Sequence, residues 1–231
     1  GAVSKHIFLV TEPKLLEATI RSAFELAQTG RPGPVVLDIP KDIQNWEGKF
    51  LGHGKLPLTG YRQRLKSVSN NRISQQACER FFSMLETSEK PLIYAGGGVI
   101  NANASKNMRD FSSEYGIPTT TTLMALGASD TTQPLSLHML GMHGMAFANY
   151  AVDDCDFLIV IGARFDDRVA GNPKKFAPNA KNIAHFDIDI SEIGKVKAVD
   201  WHQIGILKQD LEDLLAYGKK INFNKKFTKW H

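Results

Sequence analysis

Four short segments of the sequence carry residue types that could bind a phosphate or a nucleotide. The three glycines at residues 96–98 would let the backbone approach a phosphate or a flat ring closely. In residues 162–168, Arg164 could bind a phosphate through its bidentate guanidinium group. Residues 119–123 offer hydroxyl groups, and Asp187 could accept hydrogen bonds from ribose or ribityl hydroxyls. Together these residue types predict a dinucleotide-binding site.

Each segment also has a purely structural interpretation. Residues 96–98 could form an ordinary tight turn, because Asn101 stands where the last glycine of a G-x-G-x-x-G pattern would be. Residues 119–123 could reflect strand propensity alone, and residues 162–168 could be a surface ion-pair cluster. Asp189 is an alternative to Asp187, and one of the two is expected to be a solvated surface acid. Binding is favoured for residues 162–168, because they directly follow a run typical of a buried strand.

His143 is a further candidate, with Gly141 and Gly144 on either side and a predicted helix after it. An open backbone near a helix N-terminus favours an anion, and the alternative is a structural hydrogen bond. The other histidines lack a spacing typical of a metal site, and the sequence shows neither a Ser-His-Asp grouping nor a Walker loop. The sequence therefore predicts a binding site and no nucleophile or general base.

The elements that position these residues begin with a β-α-β unit. Residues 6–10 and 35–39 are predicted strands, joined by a helix that begins at Pro13 and ends at Gly30. Its predicted buried face consists of four residues at helical spacing, which are Leu16, Ile20, Phe24 and Ala27. Residues 41–70, rich in glycine and polar residues, read as an exposed connection that contains a domain boundary.

A longer alternation of strands and helices follows this connection. Its predicted strands are residues 92–95, 117–122, 157–161 and 182–188, and its last predicted helix is residues 208–217. The predicted fold class is α/β, with an open parallel doubly wound (Rossmann-like, DHS-like) central domain after a partial β-α-β unit. The predicted domains are residues 1–60 with the linker, 61–217 for the central domain, and 218–231 for a tail.

Composition limits the class of protein. Of the 231 residues, 42% are hydrophobic and 23% are charged, which is typical of a soluble globular protein. Cys78 and Cys155 lie far apart and are predicted to be buried thiols in a reducing compartment. Lysines in the tail contribute much of the formal net charge of +4. This distribution favours a solvated tail over nucleic-acid binding. Nor does any apolar run reach the length that a membrane span needs.

Several strings in the sequence resemble thiamine diphosphate enzymes of the acetohydroxyacid synthase (acetolactate synthase) family. Residues 31–42, RPGPVVLDIPKD, resemble the closing strand of the pyrimidine-binding domain. The strings LGMHG at residues 140–144 and GARFDDRVAGN at residues 162–172 resemble the most specific motifs of the family. KFAP at 175–178 and HFDID at 185–189 continue a resemblance that covers residues 5 to 215.

The resemblance implies that the central domain binds FAD. The implied contacts come from matched positions, which are Arg31, Gly96, Gly97, Gly98, Thr121, Leu123, Met142, His143, Gly144, Gly162, Ala163, Arg164, Asp166, Arg168, Val169, Asp187 and Ile188. Arg168, Asp167 and Met142 match neighbours of the substrate channel. The chain departs from the family in having Gly205-Ile206 where Gly-Asp is usual, and His138 where glycine is common.

The implied activity of the parent enzyme is the condensation of pyruvate with pyruvate or 2-oxobutyrate, with loss of CO₂, on the way to valine, leucine and isoleucine. The catalytic glutamate and the Gly-Asp-Gly motif for Mg²⁺ and thiamine diphosphate lie outside the resemblance, so this chain alone is expected to be inactive. Expected partners are 2-oxo acids and, in a homodimer or tetramer, a small regulatory subunit, with neither nucleic acid nor membrane. The expected compartment is the bacterial cytoplasm or a eukaryotic organelle. Alternatives are another thiamine diphosphate carboligase, such as a glyoxylate carboligase, and a stand-alone NAD-binding or nucleotide-binding module.

Overall fold

The computed structural model describes residues 3–49, 71–227 and 230. The chain divides into two compact units, Gly1–Val68 and Ser69–His231. The boundary predicted between residues 60 and 61 lies outside the described residues.

The first unit contains the predicted β-α-β arrangement. Strand β1 (His6–Leu9) pairs in parallel with β2 (Val35–Asp38), and helix α1 (Leu16–Gln28) crosses between them after a 3₁₀ turn at Pro13–Leu15. A short helix, α2 (Lys41–Gln44), follows Pro40. Parallel pairing requires a crossover connection between the two strands, and α1 provides it.

The buried face predicted for α1 was wrong. The residues that α1 buries are Thr19, Ser22, Ala23 and Leu26, whereas Phe24 is 65% exposed. Ala23 and Leu26 pack with Phe8 of β1, and these two are the helix residues of the hydrophobic cluster found in the described part of this unit. Phe24 therefore lies on the exposed side of α1, whereas Leu16 and Ile20 are half-buried.

The second unit is an α/β domain with these elements in chain order: α3 (Gln75–Thr87), β3 (Pro91–Ala95), α4 (Gly97–Asn101), α5 (Ser105–Tyr115), β4 (Thr119–Thr121), β5 (Ser136–Met139), α6 (Ala146–Asp154), β6 (Phe157–Ile161), α7 (Asp167–Ala170), β7 (Asn182–Asp187), β8 (Trp201–Ile204) and α8 (Leu207–Lys220). Single 3₁₀ turns lie at Leu123–Ala125 and Ile190–Glu192. The strands form one parallel sheet in the order β5-β4-β3-β6-β7-β8.

This strand order confirms the predicted doubly wound fold. From β3 the chain runs to one edge of the sheet through β4 and β5, and it then returns to β6 and runs to the other edge. Every residue of β3 and β6 is buried, because helices cover both faces of the sheet. The connections from β3 and β6 leave in opposite directions, so the carboxyl ends of these two strands are the switch point where doubly wound folds bind a ligand.

The tail after α8 is not simply solvated, contrary to the expectation from its charge. Phe227 is 4% exposed, and its N–H donates to the carbonyl oxygen of Tyr115 at the end of α5. Lys225 Nζ donates to the carbonyl oxygens of Glu86 and Ser88 at the end of α3, both at 2.7 Å. Lysines at helix C-termini satisfy the last carbonyl groups and complement the helix dipole.

Cys78 and Cys155 are both buried and both free, as predicted. Burial raises the pKa of Cys78 to about 11 and that of Cys155 to about 12, so both remain protonated thiols at neutral pH. Among the described residues, no helix combines the length and the apolar character that crossing a membrane requires.

Candidate cofactor-binding site

Two glycine-containing turns are in direct contact at the carboxyl ends of β3 and β6. Gly98 donates its N–H to the carbonyl oxygen of Gly162 at 2.9 Å. A Cβ atom on Gly98 would lie 2.7 Å from Gly162 Cα, and a Cβ on Gly96 would overlap the Gly162 carbonyl oxygen. Gly162 has a φ of 56°, a conformation that favours glycine. The predicted glycine segments thus meet where a doubly wound fold places its ligand.

Two buried side chains make hydrogen bonds to the backbone of the turn after Gly162. The hydroxyl of Tyr94 donates to the carbonyl oxygen of Arg164 at 2.7 Å. Nε2 of His185 lies 2.9 Å from the carbonyl oxygen of Ala163, which fixes Nε2 as the protonated nitrogen. Burial raises the pKa of Tyr94, so its hydroxyl stays a donor.

The charged residues of this turn lie on its exposed side. Arg164 Nη2 is 3.3 Å from Asp166 Oδ2, and both side chains are about half exposed. Asp166 caps α7 by accepting from the Arg168 N–H. The pKa of Asp166 is lowered, because its carboxylate shares a hydrogen bond with Asp167 and accepts another from the Arg168 N–H. Arg164 therefore presents its guanidinium group near solvent with one loosely placed partner.

The loop after β5 packs against α7. The Met142 N–H donates to the carbonyl oxygen of Arg168 at 3.4 Å, and a Cβ on Gly141 would lie 3.6 Å from Val169 Cα. Met142 and His143 are exposed, and a Cβ on Gly144 would overlap the backbone of this loop. The two most specific strings of the sequence are therefore adjacent in space.

The remaining predicted residues of the second unit follow the other strand ends. Thr121 ends β4 and is buried, and the exposed Leu123 follows it on a 3₁₀ turn. Asp187 ends β7, and its Oδ2 lies 3.7 Å from His185 Nε2. Both acids cap the turn after β7: Asp187 Oδ1 accepts from the Asp189 N–H at 2.9 Å, and Asp189 Oδ1 accepts from the Ser191 N–H at 3.0 Å.

The last two predicted residues, Ile188 and Arg31, belong to different units of the chain. Ile188 is half-buried next to Asp187. Arg31 belongs to the first unit, where it is exposed between α1 and β2. In the parts of the chain described, three or more His, Cys, Asp or Glu side chains nowhere gather as they would around a metal ion.

Sequence reasoning missed three buried polar residues around this edge of the sheet. Tyr94 and His185 were predicted only as parts of strands, and Asp210 only as part of the last helix. Asp210 is 1% exposed and accepts a hydrogen bond from Gln203 Nε2 at 3.1 Å, next to Gly205 at the end of β8. A signal for Asp210 was its place in the first turn of a helix that directly follows a strand.

Comparison with protein families matches residues 78–214 to the family described as thiamine pyrophosphate enzyme, central domain. The acetolactate synthase large subunit of Corynebacterium glutamicum is 46% identical over 217 residues, which are 94% of this chain and 34% of that protein. The probable acetolactate synthase large subunit of Methanocaldococcus jannaschii is 45% identical over 93% of this chain and 36% of its own length. Acetolactate synthase 2, chloroplastic, of Nicotiana tabacum is 44% identical over 85% and 28%, respectively. The chain spans about a third of the length of these curated relatives.

Proposed function

The chain belongs to the thiamine pyrophosphate enzymes, whose central domain its second unit matches, and from this premise we propose that it is part of an acetolactate synthase large subunit and binds FAD. The observation that carries the FAD proposal is the contact of Gly96 and Gly98 with Gly162 at the switch point of the sheet. Only glycine allows two backbone turns to approach so closely. An extended dinucleotide could then lie across the carboxyl ends of the strands.

The residues fit the three parts of an FAD molecule. Exposed apolar side chains suit a flat ring, and Leu123 (66% exposed) and Met142 (75%) follow the adjacent strands β4 and β5. The backbone at residues 96–98 and the guanidinium of Arg164 suit a diphosphate. The carboxylate of Asp187 suits hydroxyl groups.

The other proposed contacts are those that the resemblance implies. In the second unit they are Gly97, Thr121, His143, Gly144, Ala163, Asp166, Arg168, Val169 and Ile188, and in the first unit Arg31. Arg168, Asp167 and Met142 are proposed to lie beside the substrate channel. Since the condensation involves no net oxidation, FAD would stabilise this region without transferring electrons in the reaction.

For the parent enzyme we propose condensation of pyruvate with pyruvate or 2-oxobutyrate and release of CO₂. Thiamine diphosphate, held with Mg²⁺ by residues outside this chain, would supply the ylid chemistry. The proposed assembly is a homodimer or tetramer with a small regulatory subunit. The proposed compartment is the cytoplasm in a bacterium or an organelle in a eukaryote.

FAD titration tests the binding proposal. We expect the 231-residue chain to bind FAD, seen as quenched flavin fluorescence, and to prefer FAD over NAD. Arg164→Ala should weaken FAD affinity about tenfold, because it removes a charge-assisted hydrogen bond to phosphate. Arg80→Ala is the matched control, since Arg80 is an exposed arginine on α3 that donates to the Asp200 carbonyl oxygen. Tight NAD binding without FAD binding would contradict the proposal.

The second test concerns catalysis. With pyruvate, thiamine diphosphate and Mg²⁺, this chain is expected to form no acetolactate above the rate without protein. The reason is that the catalytic glutamate and the diphosphate-binding motif of the family have no counterpart at the matched positions. A colorimetric assay for acetoin after acidification measures the product. Acetolactate formed in proportion to protein concentration would show that the catalytic residues lie within this chain.

A further inference from the structure

Two successive carbonyl groups of the turn after β6 point into the protein. The Ala163 carbonyl oxygen accepts from His185 of β7, and the Arg164 carbonyl oxygen accepts from Tyr94 of β3. Both donors are fully buried, and the ring of Phe165 lies against both of them, with centroids 5.6 Å from His185 and 6.1 Å from Tyr94. The two donors therefore hold the turn from the same face of the sheet.

The direction of these carbonyl groups determines the direction of two N–H groups. In a trans peptide the carbonyl and the following N–H point in opposite directions, and the described residues contain no cis peptide. The N–H groups of Arg164 and Phe165 therefore point away from Tyr94 and His185. Within the part of the chain that the structure describes, neither N–H donates to a protein acceptor. Two adjacent donors beside an exposed guanidinium are suited to an anionic oxygen.

We propose that Tyr94 and His185 are positioning residues for the phosphate-binding part of this site. They contact no ligand themselves. By holding the Ala163 and Arg164 carbonyl oxygens inward, they direct two peptide N–H groups outward to bind a phosphate oxygen. The inference rests on the proposed FAD site and adds to it the means by which the peptide orientation is set.

A merely structural role for Tyr94 and His185 predicts a different pattern of effects. Removing either donor would then loosen the whole site and weaken every ligand alike. A positioning role predicts a selective loss for ligands that carry phosphate. ADP carries the diphosphate without the flavin ring, whereas riboflavin carries the ring without phosphate, so the two ligands separate these possibilities.

The experiment is titration of FAD, ADP and riboflavin into the 231-residue chain and four variants, at a temperature where thermal scans show all of them folded. Tyr94→Phe and His185→Leu each remove one donor, and His185→Gln keeps a donor at the position of Nε2. Tyr115→Phe is the matched control, because Tyr115 is equally buried and its hydroxyl has no partner among the described residues. Tyr94→Phe and His185→Leu should weaken FAD and ADP about three- to tenfold, with riboflavin unchanged.

His185→Gln should restore most of the ADP affinity, and Tyr115→Phe should bind all three ligands as the unaltered chain does. Equal losses for ADP and riboflavin, or no loss for ADP, would overturn the positioning role while FAD binding itself stands. If the unaltered chain binds ADP but not FAD, the proposed function fails, and the ADP series still decides the role of Tyr94 and His185. Binding of neither ADP nor FAD overturns both.

Discussion

Gly98→Ala is expected to lower the free energy of unfolding by about 2–3 kcal/mol, the range of severe overpacking, and to reduce FAD affinity more than any other single change considered. The added Cβ would lie 2.7 Å from Gly162 Cα and 2.9 Å from the Gly162 carbonyl oxygen. Both neighbours are backbone atoms, so no side-chain rotation relieves the contact. The turns after β3 and β6 must move apart, and the hydrogen bond from the Gly98 N–H to Gly162 is lost with them.

Gly97→Ala separates this effect from a general effect of alanine. The nearest atom to its added Cβ is Met124 Cβ at 3.0 Å, on an exposed turn that can shift outward. We expect Gly97→Ala to change stability by less than about 1 kcal/mol. Chemical denaturation measures both stabilities, and flavin fluorescence measures both affinities. Equal losses of stability in Gly97→Ala and Gly98→Ala would contradict the view that the contact with Gly162 holds the two turns together.

The central strands could be predicted from sequence because their environment leaves a simple pattern. Residues 157–161 are buried on both faces of the sheet, and their continuous apolar sequence is typical of such a strand. The edge strands could not be predicted in the same way. Both β5, at Ser136–Met139, and β8, at Trp201–Ile204, mix polar with apolar residues because one side of each strand has no neighbouring strand.

The predicted site segments do lie at strand ends, but sequence could not supply their contacts. Nothing in the sequence shows that His185 bonds to Ala163, because that contact joins side chain and backbone across 22 positions. His138, which stands where the family commonly has glycine, has a φ of 58°. Glycine adopts this left-handed conformation readily, which explains why it suits the position. The conformation is less favourable for histidine. Backbone conformation of this kind is decided by the fold and not by local composition.

The resemblance to acetohydroxyacid synthase is confirmed at the level of the family. Residue types and their spacing alone did not identify this family. Residue types and spacing indicated a dinucleotide-type site, and the structure bears out the fold that such a site requires. The choice of FAD over NAD depends on the strings around His143 and Arg164. These strings also form neighbouring loops, joined by the hydrogen bond from the Met142 N–H to the Arg168 carbonyl oxygen.

Asp210→Asn is expected to stabilise the chain at about pH 8 and to leave it unchanged at about pH 4. Burial raises the pKa of Asp210 from 3.8 to about 7, although Gln203 donates a hydrogen bond that opposes this change. An unfolded chain ionises Asp210 near pH 4, whereas the folded chain keeps it protonated until about pH 7. The folded state therefore loses stability as the pH rises between these values. The loss reaches about 4 kcal/mol as an upper limit, since each pKa unit corresponds to about 1.4 kcal/mol.

Comparing the stability of Asp210→Asn with that of the unaltered chain isolates the effect of Asp210, because both proteins contain every other titrating group. The quantity to measure is the free energy of unfolding of Asp210→Asn minus that of the unaltered chain, by urea denaturation from about pH 4 to pH 8. This difference should grow in favour of the variant as the pH rises and level off above about pH 7. Glu212→Gln is the control, because Glu212 lies on the exposed side of the same helix and should give a flat difference. A flat difference for Asp210→Asn, or a variant less stable than the unaltered chain at about pH 8, would mean that the carboxylate is stabilised where it lies.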